Sequence, residues 1–414
     1  MLCQFSFWNY KSFRDETTLD LCPAKITEHE EHLIRHPVTG EKFLPLAVIY
    51  GPNGGGKSNV IDAFKTLREN IMDVLDNMKR LEMYTEKSAT KILEHPKSDS
   101  RYKKTSFIFD ADYAKKPSGW SINFITAGHE YKYNLATVDK LVVEESLYAK
   151  DVKTQDVCML FERKSKIELG DYFESVNVNN IGEDMPLLCF ISILYDFDHI
   201  TNVILWLMSA NVYDYSSAII DKFLLPTDTE TEKIFFDLIA AMDIPIQSLE
   251  TEDYDDGSDI FSVYHFNNKR YRLNFYHEST GTRKAFELLS YIMMALDWGA
   301  PLFMDELDAH LHPKMLEFII SLFTSPTSNK KGAQLIFTSH DLYTMDSKFL
   351  RRDEIWFAVK RDDFSSHLYS LSEFKKLKTG KIPRKDERYA KQYTEGLYGA
   401  DPYFQRAYEW AVKT

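Results

Sequence analysis

One octapeptide, GPNGGGKS from Gly51 to Ser58, constrains this chain more than any other stretch. It fits G-x-x-x-x-G-K-[ST] through Gly51, Gly56, Lys57 and Ser58. The apolar run Leu46–Tyr50 leads into it and reads as a buried strand of a parallel sheet. Behind it, Val60, Ile61, Phe64, Leu67, Ile71, Val74, Met78 and Leu81 recur at helical spacing. Strand, glycine loop and helix in that order make a phosphate cradle. Backbone N–H groups curl around phosphate oxygens, and the helix N-terminus adds partial positive charge. Lys57 is expected to reach the β- and γ-phosphates of ATP, and Ser58 to hold Mg²⁺ through its hydroxyl. Asn53, Gly54, Gly55 and Asn59 complete the expected nucleotide-binding segment.

Three further segments carry chemistry. In PLFMDELDAHLHP, Pro301 to Pro313, an apolar run ends in Asp305 and Glu306. An acidic pair at the C-terminal end of a buried strand sits where open α/β sheets bind ligands. Asp305 is expected to position Mg²⁺ through its coordinated water, and Glu306 to polarise the attacking water. In FTSHD, Phe337 to Asp341, a second apolar run ends in polar residues, and His340 is expected to stand near the γ-phosphate. In HESTGTRKAFEL, His277 to Leu288, small residues open a helix whose free N–H groups suit an anion. Ordinary capping by Ser279 or Thr282 would explain that last segment equally well.

Composition removes several alternatives. A chain of 414 residues calls for two or three structural units. A formal charge of -13 disfavours non-specific binding to DNA or anionic membrane, unless basic residues gather on one face. The four cysteines, Cys3, Cys22, Cys158 and Cys189, show no C-x-x-C spacing, and reduced thiols in a cytoplasm are expected. The most apolar stretch, Pro186 to Met208, is interrupted by Asp196, Asp198, His199 and Asn202, and reads as a buried helix pair rather than a membrane span.

The pattern along the chain predicts an α/β fold. Two short strands fill Cys3 to Leu21 around a turn at Lys11 and Ser12. Strands are expected at Ser106–Phe109, Trp120–Ile125, Tyr131–Leu135 and Leu141–Ser146, then a helical block from Met185 to Ala241. An acidic loop, Glu250 to Asp259, precedes a hairpin around Phe261 to Phe275. Strands Leu302–Met304, Gln334–Phe337 and Ile355–Val359 close the set. The expected division is 1–100 for the first half of a nucleotide-binding head, 101–170 for an antiparallel β arm and 171–255 for a helical insertion. The second half of the head follows at 256–350, and a strand and basic tail at 351–414.

Together the four motifs, in this order, resemble the ABC-type ATPase head: phosphate loop, signature segment, acidic strand, switch histidine. That resemblance implies a P-loop head with a mixed sheet, an antiparallel β-subdomain and a mainly helical insertion. It also implies ATP sandwiched between two heads, in a homodimer or a larger even-numbered homo-oligomer. By position, Ser279 and Gly281 would contact the γ-phosphate of the partner's ATP, and Asp308 would fall in the dimer-contact loop. Asn9, Lys11, Phe13 and Arg14 would flank adenine and ribose. NYKSFRDETTLDL, GPNGGGKSN, ESTGTRK, FTSHD and the late YTEGLYGADP are similar to the RloA/AbiL-type ATPases of phage-defence and abortive-infection systems, including relatives of the PARIS ATPase. This implies a separate effector, a nuclease of the TOPRIM-like kind, and a phage protein as trigger. Gly55 stands where serine is commoner, a change expected to matter little because backbone donors dominate there. No glutamine is placed at the family's Q-loop; Gln155 is the nearest candidate. A RecF/SMC-like DNA repair ATPase is the alternative, and an ABC transporter subunit is disfavoured by STGT in place of SGGQ.

Weaker features add little. Lys375 to Arg388 is the one basic concentration, and a solvated face outweighs contact with nucleic acid or an acidic partner. Arg272 and His277 match a short spacing used by RNA-cutting toxins, and chance explains it. His310 and His312 read as the end of a loop and the start of a helix rather than metal ligands.

Overall fold

The computed structural model describes residues 1–83, 105–179, 181–213, 229–254, 257–309, 311–374, 383–384 and 387–400. His310 and most of the basic run 375–388 lie outside them.

A six-stranded sheet forms the centre. Its order is Asn211–Tyr213, Pro301–Met304, Gln334–Thr338, Leu46–Tyr50, Ile355–Lys360 and Ser366–Ser370. The first five run parallel and the last is antiparallel. We refer to Leu46–Tyr50 as the loop strand, Pro301–Met304 as the acidic strand, Gln334–Thr338 as the switch strand and Ile355–Lys360 as the closing strand. The loop, acidic and switch strands are buried from end to end, which is why they read as continuous apolar runs.

Their side chains alternate between two cores, as the period of a strand demands. Ala47, Ile49, Phe303, Ile336 and Ala358 join the core that contains Val60, Phe64 and Leu67. These last three belong to the helix Lys57–Met83 that follows the loop. Leu46, Val48, Leu302, Met304, Leu335 and Phe337 pack instead with Leu288, Ile292, Ile319 and Phe323. Those residues come from the helices Thr280–Trp298 and Pro313–Thr324. The sheet is therefore covered on both faces.

The loop helix has a second sheet on its far side. Seven antiparallel strands run in the order Ile167–Leu169, Val157–Arg163, Leu141–Asp151, His129–Val138, Ser118–Thr126, Leu2–Trp8 and Thr17–Asp20. Phe64 joins the two layers: its ring stacks on Phe303 at 3.8 Å and meets Phe5 edge-on at 5.4 Å. The N-terminal strands thus belong to the same sheet as the arm strands. A smaller sheet, Ser248–Tyr254, Gly257–Phe266 and Lys269–Asn274, leads into the helix Thr280–Trp298. A satellite core of Phe235, Ile239, Ile260, Phe275 and Phe286 supports it.

Several expectations change. Ser106–Phe109 forms no strand; Phe107 N–H donates to Asn9 Oδ1 at 3.0 Å instead. Asn211–Tyr213 interrupts the helical block as an edge strand. The first part of the expected acidic loop is the strand Ser248–Tyr254, whose glutamates pair with Arg270 and Arg272 across the sheet. The apolar stretch is two helices, Leu187–Leu194 and Asp198–Ser209, bent by 115° at the break. Among the described residues no single helix is long and apolar enough to cross a membrane.

Glu145 welds the arm to those helices. Its buried carboxylate accepts from Leu187 N at 2.5 Å, Leu188 N at 3.0 Å and Tyr133 Oη at 2.9 Å. Burial raises its pKa, opposed by those donors. Replacing Glu145 with Ala strands these buried donors. Urea unfolding of Glu145→Ala should show a loss of about 3 kcal/mol, and of Glu145→Gln a smaller one, because the amide keeps one acceptor.

Candidate active site

The loop, acidic and switch strands are parallel, so their C-terminal ends lie at one edge of the sheet. Met304 pairs with Phe337, and Thr338 with Ile49. The phosphate loop, the acidic pair and His340 all emerge there.

The loop is wedged under the closing strand. A β-carbon on Gly51 would lie 2.1 Å from the carbonyl oxygen of Ala358, and one on Gly55 would lie 2.4 Å from the same oxygen. Glycine at position 55 is therefore required, correcting the expectation that the residue there matters little. Gly56 has φ +110°, and a β-carbon on it would sit 2.6 Å from Ser366 Oγ. Ser12 ties these parts together. Its hydroxyl oxygen accepts from Asn59 Nδ2 at 2.7 Å and from Ser366 Oγ at 2.8 Å, and its carbonyl accepts from Ser366 N at 2.6 Å. Asn59 is thus turned toward Ser12. Asn53, Gly54 and Ser58 are exposed along the loop.

Lys57 is buried, and its ammonium donates to the carbonyls of Gly51 at 2.8 Å and Pro52 at 3.2 Å. Burial pushes its pKa down, while the charges of Asp305, Glu306 and Asp308 pull it back up. A buried cation hydrogen-bonded to its own loop's carbonyls, with the carboxylates acting through space, is suited to an incoming polyanion. The exposed Ser58 hydroxyl and the half-buried Asp305 carboxylate are hard oxygen donors of the kind Mg²⁺ takes.

The acidic turn is clamped to the switch strand by one hydroxyl. Thr338 Oγ1 donates to Asp305 Oδ1 at 2.6 Å and accepts from Glu306 N at 2.7 Å. Leu307 N donates to the Thr338 carbonyl at 3.2 Å. Glu306 sits at φ +50°, the left-handed region that costs a non-glycine residue about 1–2 kcal/mol. The clamp holds it there and leaves its side chain exposed. Asp308 Oδ2 accepts from His340 N at 3.0 Å, so the acidic loop also fixes the switch loop within one chain. His340 itself is exposed.

The signature turn is built as a cap. Ser279 Oγ accepts from Thr282 N at 3.0 Å and opens the helix Thr280–Trp298. Gly281 is exposed, with only Ser279 Oγ, at 3.7 Å, near a β-carbon built on it. Ser279 and Gly281 border a cavity of about 340 Å³ together with Asp305 and Glu306. None of Gly51 to Ser58 lines it.

The N-terminal hairpin does not offer the base site its residues suggested. Phe13 is fully buried, edge-on to Phe7 at 5.0 Å, and 3.1 Å from where a β-carbon on Gly56 would be. It supports the loop from behind, which corrects its expected place beside adenine. Lys11 is ion-paired with Asp62, and buried Asn9 donates to the carbonyls of Tyr113 and Lys116. Arg14 pairs with Asp363 at 2.9 Å. Gln155 lies in a hairpin turn of the arm, donating to the Val152 carbonyl. His312 caps the helix Pro313–Thr324, its Nδ1 accepting from Lys314 N at 3.2 Å.

Sequence reasoning missed an aromatic patch beside the loop. Phe109 is 58% exposed and Phe364 54%, and their rings stack at 5.2 Å. Lys360 Nζ lies 5.7 and 5.2 Å from the two ring centres. Lys360 ends the closing strand, two residues after the Ala358 carbonyl that abuts Gly51 and Gly55. Phe364 has φ +64°, an uncommon conformation for a bulky residue.

A family model described as "AAA domain, putative AbiEii toxin, Type IV TA system" matches residues 46–175 and 212–346. No curated protein matches the chain. Among solved structures, the chain is similar to the SMC head domain from Thermotoga maritima, at 14% identity and a TM-score of 0.39, covering 89% of this chain and 98% of that one. It is also similar to an ATP-binding cassette solved as a dimer in a post-hydrolysis state bound to ADP and Pi. There the identity is 12% and the TM-score 0.30, covering 89% of this chain and 100% of that one.

Thr338→Val keeps the shape and removes the hydroxyl that joins Asp305 to the Glu306 amide. Nucleoside triphosphate turnover, followed by phosphate release, should fall about tenfold or more while nucleotide affinity changes little, because a positioning contact is lost. Equal loss of both would make Thr338 a structural residue only.

Proposed function

We infer, from the premise that the chain belongs to the AAA-domain family whose model it matches over residues 46–175 and 212–346, that it is a Mg²⁺-dependent ATPase. It acts as an ATP-gated switch whose sites are completed by a second copy. The observation that carries this reading is the pairing of a buried Lys57 in a glycine loop with an acidic turn held by Thr338, two strands away in one parallel sheet.

Each residue has a physical task. The amides of Gly54 to Ser58 and the ammonium of Lys57 bind the phosphates, and Lys57 exchanges its loop carbonyls for phosphate oxygens. Ser58 and Asp305 would hold Mg²⁺, which supplies charge neutralisation between the phosphate oxygens. Glu306 would orient or deprotonate the attacking water from its exposed position, and His340 would donate a hydrogen bond to the γ-phosphate. The base stacks on Phe109 and Phe364, with Lys360 beside it.

The exposed signature turn supports a composite site. Ser279 and Gly281 are exposed, and the cavity they border is lined by Asp305 and Glu306 but by none of Gly51 to Ser58. Their free helix amides would then meet the γ-phosphate held by the partner. The family's description as a putative toxin and Type IV TA system supports a place in a toxin-based defence system; control of a separate effector and a phage-derived trigger extend that reading. The effector chemistry is assigned to another chain. Arg272, half of the toxin-like spacing, is occupied by Glu250 and Glu252.

Lys57→Ala should abolish ATP binding in a fluorescent-nucleotide titration; unchanged affinity refutes the loop assignment. Glu306→Gln should bind ATP, hydrolyse it at least about 100-fold more slowly and accumulate as a dimer by light scattering. Joint replacement of Phe109 and Phe364 by Ala should weaken ATP binding about tenfold, in line with about 1–3 kcal/mol per stacked base. The composite site has its own test. Lys57→Ala and Gly281→Asp chains, each inactive alone, should regain about a quarter of wild-type activity when mixed, since half of random dimers carry one intact site. Silence of the mixture alongside normal single-chain hydrolysis would discard the composite site.

A further inference from the structure

We propose that His29, Glu31 and His32 form a transition-metal site, best suited to Zn²⁺. It lies on the loop between the strands Thr17–Asp20 and Ile34–Arg35, and it does not depend on the ATPase reading.

His29 Nε2 lies 2.7 Å from the carbonyl oxygen of Ser347, a contact that only an N–H can make. In a neutral ring the proton is then on Nε2, and Nδ1 carries a lone pair. That lone pair faces Glu31 Oε1 at 3.3 Å, so two acceptors oppose each other. His32 Nε2 lies 3.9 Å from the same carboxylate oxygen, while its Nδ1 is buried without a hydrogen-bond partner. The two rings lie 4.6 Å apart and stack face to face on the same side of the loop as Glu31. A neutral His29 ring therefore offers its Nδ1 lone pair toward Glu31.

A cation among the three atoms satisfies them all. The candidate ligand atoms lie within 4.8 Å of one another. Two imidazoles and a carboxylate are borderline donors that suit zinc, and ligands about 2.0–2.2 Å from a tetrahedral ion are about 3.3–3.5 Å apart. The rings, now 10° from parallel, would splay so that both lone pairs converge. The N–H of His29 on a backbone carbonyl is the outer contact that metal-bound histidines usually make. His29 is at φ +43°, so the backbone accepts an unfavourable conformation to place this ring. The loop is anchored: Arg352 pairs with Glu28 at 2.7 Å, and the nearby Arg351 charge is answered by Asp353 at 2.7 Å. Three protein ligands leave a position for water or a partner's side chain. Through Ser347, seven residues after His340, the ion would brace the segment that follows the switch strand.

The test uses the full chain, stripped with a chelator and titrated with Zn²⁺ by calorimetry, with Co²⁺ as a spectroscopic stand-in. One equivalent should bind with an affinity of about 1 µM, and Co²⁺ should give the intense visible bands of a tetrahedral site. His32→Ala and Glu31→Gln should each weaken binding about tenfold or more. Glu31 is largely exposed, so Glu31→Gln keeps the fold should His32→Ala disturb it. No binding below about 100 µM would overturn the proposal. So would zinc bound equally by wild type and both variants.

Discussion

The carbonyl oxygen of Ala358 occupies the space that a side chain on Gly51 or Gly55 would need. This contact sets the path of the phosphate loop. The closing strand is added late in the chain, yet it decides where the loop amides point. Phe13 and Ser366 press on the same loop at Gly56, and Ser12 links Ser366 to Asn59. Three parts remote in sequence therefore fix one turn. A loop that binds phosphate through backbone amides has no side chains to adjust, so its shape must be imposed by its neighbours.

Strand order does the same for the acidic pair. The switch strand lies between the loop strand and the acidic strand. Thr338, at its end, can therefore touch the Asp305 carboxylate and the Glu306 amide at once. Asp308 closes the circuit by accepting from the His340 amide. A shift of the switch loop must pull on the acidic turn. Glu306 is the strained member, and strain at such a turn persists only where the surroundings over-determine it. Any event that moves His340 can in this way be felt at the group proposed to handle water.

The parallel core was legible because buried strands write themselves as apolar runs. Leu46–Tyr50 matched its strand end to end, and the acidic and switch strands fell where the patterns placed them. The loop helix showed through its periodicity. Edge strands were harder. Asn211–Tyr213 is three residues long, too short for any period, and Ser248–Tyr254 is acidic because its glutamates meet arginines across the sheet. Phe13 and Phe364 show the deeper limit. Both are phenylalanines in polar turns, and one is sealed in the core while the other stacks in the open. Which is which depends on the seven-stranded sheet and the closing strand, whose contacts join residues about 100 to 350 positions apart. Thr338 was hidden for the same reason: its role exists only once two strands are neighbours.

The division between buried and exposed groups carries the argument for two chains. Of the groups proposed to grip phosphate in a single chain, Lys57 and Gly55 are buried, while Gly54 and Ser58 lie open at the loop surface. What would act on the terminal phosphate is exposed: Glu306, His340, Ser279 and Gly281. Charge stabilisation is weak in water and strong where water is excluded. On the proposed reading, one subunit alone would hold the nucleotide but leave the reacting end wet. A second surface that covers those four residues would strengthen their interactions and limit water to the molecule being positioned. Binding would then belong to the subunit and chemistry to the pair, which is the arrangement a switch requires.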